Sequence, residues 1–276
     1  SKLNELDEAC IILEKLPSKH IDSYNIILEA YSNHKNGFGE KAFQLFGKAC
    51  HNTSPSKSIL LSMLKVCRNM KALQKGRYLH DEIVRGKWEL EEVIKNTLID
   101  MYAKCGSIKE ARKVFNDLPK CNIVSWGAMI SGYVLLGNGC LALKLFEEMQ
   151  IENVQPNEVT FSCVLTACSN MGNIGEGKLI HDRVIRNGAL TCIISNTLVD
   201  MYGKCGLIQE AEKVFNSFSD HNVVSWGTLI AGYTMQNNGL KALHLFKKML
   251  RDNIIPSKPV FLSTLQASGL VGAIEE

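Results

Sequence analysis

Two short runs in this chain of 276 residues carry chemically capable residues at familiar spacings. Gly172-Asn173-Ile174-Gly175-Glu176-Gly177-Lys178 has the glycine and lysine spacing of a loop that cradles phosphates with backbone N–H groups and an ammonium. The next residue is Leu179, where such a loop needs a hydroxyl for magnesium, and no strand-like run precedes it. A turn between helices is therefore expected there rather than nucleotide hydrolysis. His80-Asp81-Glu82 has the His-x-Glu spacing of a zinc deaminase, but no Pro-Cys-x-x-Cys follows to complete a metal site. No His-Glu-x-x-His, Cys-x-x-Cys or evident Ser/His/Asp pattern occurs either, so no catalytic residue, metal ligand or cofactor is expected.

Other reactive side chains recur in step along the chain, which favours packing over chemistry. Cys105 and Cys205 recur at one pattern position, Cys67 and Cys168 at another, all on apolar faces, so core packing is expected. His80 and His181 also match, and packed or half-exposed imidazoles are expected. Trp126 and Trp226 could stack on bases, but their place in the pattern points to burial with a hydrogen-bonded indole. Lys104 and Lys204 lie where first helices should end. There they would either meet phosphate in a groove or sit solvated at the negative end of the helix dipole.

The elements that position these residues follow from an internal repeat. Asn96-Thr97-Leu98, Asp100-Met101-Tyr102 and Lys104-Cys105-Gly106 return as Asn196-Thr197-Leu198, Asp200-Met201-Tyr202 and Lys204-Cys205-Gly206, an offset of about 100 residues. Val124-Ser125-Trp126-Gly127 likewise returns as Val224-Ser225-Trp226-Gly227. A finer unit of about 31 to 36 residues lies within, marked by a small residue at Ala42, Gly76, Ala111, Ala142, Gly177, Ala211 and Ala242. Each unit reads as two helices. Leu98, Ile99 and Tyr102 share a face of a first helix, Ile108, Ala111, Phe115 and Leu118 follow a second, and Gly106 stops the first. A pair this short buries its apolar face only by stacking on neighbours. The expected fold is all-α, a right-handed α-solenoid of stacked helix-turn-helix repeats.

These strings resemble the pentatricopeptide repeat proteins of plant organelles, in the subclass that alternates P-, L- and S-type repeats. MYAKCGSIKEARKVF and MYGKCGLIQEAEKVF look like S-type repeats, VSWGAMISGYVLLGNGCLALKLFEEM like a P-type repeat, and FSCVLTACSNMGNIGEGKLIHDRVIRNG like an L-type repeat. The resemblance implies one solenoid fragment over 1–276. It would run as a partial S repeat (1–20), P (21–56), L (57–91), S (92–122), P (123–157), L (158–191), S (192–222), P (223–257) and a partial L repeat (258–276).

In that family one base is read per repeat by the fifth and last residues, while an apolar second residue wedges between bases. Carried over, the reading pairs are Asn25 with Ser56, Asn96 with Asn122, Gly127 with Asn157, Asn196 with Asn222 and Gly227 with Ser257. The sandwiching residues are Val93, Val124, Val159, Ile193 and Val224, and Lys104 and Lys204 are the phosphate candidates. By the family's pairing rules Asn/Asn and Asn/Ser lean to cytosine over uracil, whereas Thr or Ser with a terminal Asn favours adenine. Gly127 and Gly227 have no side chain to read with, Leu61/Glu91 and Ser162/Thr191 follow the code poorly, and Asp22 stands in place of a wedge. Three informative pyrimidine positions are expected.

The resemblance further implies a non-enzymatic adaptor that binds single-stranded RNA and gives specificity to C-to-U editing in a plastid or mitochondrion. It would act as a monomer, recruit multiple organellar RNA editing factors, and have any deaminase domain C-terminal to this fragment. Composition is compatible. Lys+Arg 31 against Asp+Glu 28 neither proves nor excludes a nucleic-acid partner, ten cysteines without paired spacing suggest a reducing compartment, and no apolar run reaches the roughly 20 residues of a membrane span. The start at Ser1, without a presequence pattern, suggests a piece of a longer protein. The alternative function is a protein-binding tetratricopeptide-like scaffold. That would show a uniform period of about 34 residues, whereas this chain alternates about 31 with about 35.

Overall fold

The computed structural model describes residues 8–9, 11–12, 21–33, 38–50 and 54–275. The expected partial repeat at 1–20 falls almost wholly outside these, as does the side chain of Asp22. Among the described residues every regular element is helical, and they fall into two compact units, residues 1–136 and 137–276.

The first unit contains α1 (Ile21–Asn33), α2 (Gly39–Ala49), α3 (Lys57–Met70), α4 (Leu73–Arg85), a 3-10 turn (Trp88–Leu90), α5 (Glu92–Lys104), α6 (Ile108–Asn116) and α7 (Ile123–Leu135). The odd-numbered helices pack side by side in the order α1, α3, α5, α7, and each even-numbered helix packs on the helix before it. The second unit contains α8 (Gly139–Ile151), α9 (Glu158–Met171), α10 (Ile174–Arg186), α11 (Cys192–Lys204), α12 (Ile208–Asn216), α13 (Val223–Met235), α14 (Gly239–Arg251) and α15 (Lys258–Glu275). Its odd-numbered helices again form a row, α9, α11, α13, α15, with α10, α12 and α14 each packed on the helix before it and α8 packed on α9. Each unit is therefore a stack of helix pairs, the arrangement expected of an α-solenoid.

The helices form where the apolar period places their buried faces. Leu98, Ile99 and Tyr102 of α5 are buried, as are Ala111 and Phe115 of α6, and the two helices are joined through Gly106 at φ 83°. That left-handed conformation is strained for residues with a Cβ, so glycine ends the first helix here and at Gly206, φ 81°. The small residue opening each second helix is buried at every described occurrence, from Ala42 to Ala242. Gly76 and Gly177 take this place where a methionine crosses: a Cβ would lie 2.4 Å from Met101 Sδ and 2.8 Å from Met201 Sδ. Gly177 thus belongs to a helix contact. Together with the left-handed Gly172 that caps α9 and the Asn173 side chain that caps α10, it makes the phosphate-loop look-alike a helix-helix turn.

The recurring reactive side chains also take structural roles. Cys67 and Cys168 are fully buried, and burial pushes both thiols up to about 12, which keeps them protonated near neutral pH. Cys105 and Cys205 correct the expectation of core placement. They stand just past the ends of α5 and α11, where a helix terminus leaves them half-exposed, and Cys105 Sγ lies 3.6 Å from the Cys67 carbonyl oxygen. His80 and His181 each set Nδ1 2.9 Å from a tyrosine hydroxyl, Tyr102 and Tyr202 respectively. Burial lowers the His181 pKa and raises that of Tyr202 to about 12. Among the described residues no group of His, Cys, Asp and Glu is arranged to hold a metal ion.

Trp126 and Trp226 are buried, with 5% and 1% exposure, edge-to-face against Phe115 and Phe215. The expected hydrogen bond of the indole is not formed: Nε1 of both is buried without a partner. An unpaired buried donor costs about 1–3 kcal/mol. Burying about 200 Å² of ring is worth about 5 kcal/mol and offsets that cost.

Candidate nucleic-acid interface

The residues that could meet a ligand gather at the N-termini of the odd-numbered helices. Asn122, Asn157 and Asn222 are the N-cap residues of α7, α9 and α13. Asn122 Oδ1 accepts from the backbone N–H groups of Val124 and Ser125 at 2.9 and 3.0 Å, and Asn222 Oδ1 does the same with Val224 and Ser225 at 2.9 and 3.1 Å. Asn157 Oδ1 accepts from Thr160 N at 3.0 Å. In all three helices the side chain three residues on, Ser125, Thr160 or Ser225, answers the backbone of the cap, completing a capping box. Ser56 Oγ caps α3 by accepting from Ile59 N, while Ser257 accepts Phe261 N through its backbone carbonyl.

These caps fix which end of each amide can face a ligand. With Oδ1 committed to the helix, Asn122 and Asn222 turn Nδ2 outward as a donor. That donor already has a local acceptor: Asn122 Nδ2 donates to Glu92 Oε1, and Asn222 Nδ2 to Cys192 Sγ at 3.3 Å.

The fifth-position residues lie one turn into each helix. Asn96 is 8% exposed with its Oδ1 buried and unpaired, and the Oδ1 of Asn25 is likewise buried without a partner. Asn196 is half-buried and donates from Nδ2 toward Cys192 Sγ at 3.7 Å. Gly227 has a packing reason, since a Cβ there would stand 3.0 Å from Val260 Cγ2 on α15, and Gly127 is buried.

Beside these polar groups each unit carries exposed apolar side chains, two in the first unit and three in the second. Val93, Val124, Val159, Ile193 and Val224 are 54 to 57% exposed, although the residue following each is buried. β-Branched side chains hold one χ1 rotamer in a helix, so each forms a stiff apolar blade rather than a mobile one. Lys104 and Lys204 do not stand alone: each pairs with the carboxylate four residues earlier, Lys104 with Asp100 at 2.9 Å and Lys204 with Asp200 at 2.7 Å. Arg68 also reaches Asp100, at 2.9 Å. Both lysines remain more than a third exposed, and such surface pairs contribute little and open easily.

Sequence reasoning missed three features of this face: the caps, their Ser or Thr partners, and the role of residues 92 and 192. The caps had a signal, since Asn-x-x-Ser or Asn-x-x-Thr opens each of those helices, the Asn just before the first helical residue.

Known proteins resemble this chain in sequence and in fold. The PPR repeat model matches residues 93–123, 159–188, 193–223 and 224–254, and the PPR repeat family model matches residues 121–170. In Arabidopsis thaliana, pentatricopeptide repeat-containing protein CRR2, chloroplastic, is 33% identical over 284 residues, covering 100% of this chain and 43% of its own length. Pentatricopeptide repeat-containing protein At3g13770, mitochondrial, from the same plant is 30% identical over 277 residues, covering 100% of this chain and 44% of its own. The crystal structure of the maize pentatricopeptide repeat protein PPR10 with an 18-nt psaJ RNA element superposes with a TM-score of 0.75 at 20% identity, over 97% of this chain and 42% of that one. The fold is thus the helical-repeat solenoid, and the chain belongs to the pentatricopeptide repeat family. It spans less than half the length of these curated relatives.

Proposed function

We propose that this chain binds single-stranded RNA, one base per repeat, and supplies sequence specificity to C-to-U editing of organellar transcripts. The observation that carries the reading is the recurrence, in each unit, of exposed β-branched blades at one repeat position, each beside the amides or small polar groups of a helix N-terminus. A base inserted between two blades gains apolar contact on both faces, and its Watson–Crick edge then meets the fifth and last residues of one repeat. A paired duplex cannot offer that edge.

The PLS alternation, with repeat boundaries at 21, 57, 92, 123, 158, 192 and 223, is part of the same proposal. So are action as a monomer, recruitment of multiple organellar RNA editing factors, and residence in a plastid or mitochondrion. Relatives named chloroplastic and mitochondrial support the organellar assignment without choosing between the two. The repeats supply address rather than catalysis, and deamination falls to a separate domain or protein.

Titration of matched single- and double-stranded RNAs over a range of salt tests this reading. Tighter binding of the single strand is expected, with moderate salt dependence. Lys104→Ala and Lys204→Ala should each weaken binding to all sequences alike, and lower the slope of log affinity against log salt by roughly 0.7. Equal affinity for both RNA forms would refute the reading, and a loss confined to one sequence would make these lysines base readers.

A further inference from the structure

The repeats at 92–122 and 192–222 carry the same reading pair, Asn96/Asn122 and Asn196/Asn222, so a difference between them at the base must come from another residue. We propose that the first residue of each first helix is a third determinant of base choice. Glu92 makes its repeat prefer cytosine over uracil, and Cys192 leaves its own repeat nearly indifferent. This rests on the reading of these amides as base contacts.

A side-chain link between the first and last residues of a repeat recurs in both units. Lys57 Nζ meets Glu91 at 2.6 Å, Glu92 accepts from Asn122, Glu158 accepts from Thr191, and Cys192 accepts from Asn222. In these four repeats, where the first residue is Lys, Glu or Cys, residue 1 touches the last-position side chain. It also immediately precedes the blade, Val93 or Ile193, that would flank the base.

Counting donors and acceptors shows what each version leaves for the base. At 92–122, Asn122 spends Oδ1 on the cap and one N–H on Glu92, while Asn96 has its Oδ1 buried. The exposed Glu92 carboxylate is then the strongest acceptor at that edge, and a carboxylate only accepts. The exocyclic amino group of cytosine can donate to it. Uracil presents a carbonyl oxygen at the same place, lone pair against lone pair. At 192–222 the residue in that place is a thiol whose sulfur already receives N–H groups from Asn196 and Asn222 and whose S–H points to the Asp220 carbonyl oxygen at 4.0 Å. A thiol is a weak acceptor with no charge, and it neither rewards the amino group nor rejects the carbonyl.

The test exchanges the two residues. Wild type, Glu92→Cys and Cys192→Glu are compared by competition binding, using single-stranded RNAs that differ only in cytosine or uracil at the nucleotide of each repeat. Wild type should favour cytosine at the first nucleotide by about tenfold and show little preference at the second. Glu92→Cys should abolish that preference, and Cys192→Glu should create one at its own nucleotide while leaving the other unchanged. Circular dichroism should be unaltered, since both substitutions fall on the first residue of a helix, residue 92 is exposed, and the Thr191 cap of α11 is kept. If wild type reads pyrimidines but neither exchange changes the cytosine-to-uracil ratio, residue 1 merely braces the cap and the proposal is wrong. An even loss of affinity for every RNA in Cys192→Glu would overturn it too, as charge repulsion alone. A wild type without base preference at either nucleotide would instead bring down the underlying reading of the amides.

Discussion

Trp226→Ala is expected to lower stability by about 3–5 kcal/mol, the range for deleting a buried aromatic ring. Trp226 is 1% exposed, its ring meets Phe215 edge-to-face at 5.0 Å and His221 at 5.8 Å, and Lys248 Nζ lies 5.7 Å above it. Those contacts join α12, the loop before α13 and α14, so truncation would loosen several elements at once. Trp226→Phe discriminates between possible causes. It keeps most of the ring burial and removes the unpaired indole N–H, so its cost should stay below about 1.5 kcal/mol. Urea denaturation followed by circular dichroism gives the midpoints. An unchanged midpoint in Trp226→Ala would contradict the packing described here. Loss of RNA affinity in a fully folded Trp226→Phe would place this ring against a base instead.

Asn196→Thr is expected to move base preference at one nucleotide from cytosine or uracil to adenine, by roughly 1–3 kcal/mol. Asn196 is the cleaner target of its reading pair, because Asn222 also caps α13, and removing that cap would add about 1 kcal/mol of helix destabilisation. The shorter Thr side chain opens room for a purine and, with the terminal Asn222, matches the family's adenine pairing. Its hydroxyl should be satisfied by the carbonyl four residues earlier. Thr97 and Thr197 bond in this way to Val93 and Ile193, each at 2.8 Å. The variant should therefore fold. Competition over RNAs varied at each position, at fixed salt, reads the outcome. An even loss of affinity with no gain for adenine anywhere would make Asn196 a structural amide.

Much of the architecture was legible in the residues. A helix that buries one stripe must repeat its apolar residues every three or four positions, so Leu98, Ile99 and Tyr102 announced α5. Only glycine sits easily at the positive φ of Gly106, so the stop could be read as well. Self-similarity at an offset of about 100 residues then carried the pattern from one unit into the other. What could not be read depends on distances across the fold. The unpaired indole of Trp226 follows from how Phe215 and His221 surround it, and no spacing reports that. The half-exposure of Cys105 depends on its place at a helix end, where an apolar stripe runs out. The link from Cys192 to Asn222 spans 30 residues of chain, and only the folded helix pair brings the two together.

The central claim is that these helix N-termini read bases in single-stranded RNA, one per repeat. Selection of binders from a random single-stranded RNA pool tests it most directly. On the proposed register the informative pairs would sit in the repeats beginning at 21, 92 and 192, which are the first, third and sixth in order. The selected RNAs should therefore share three pyrimidines separated by one and then two unconstrained nucleotides, in one direction along the strand or the other. Enrichment of structured or duplex RNA, or a pool with no shared pyrimidine spacing, would contradict the account.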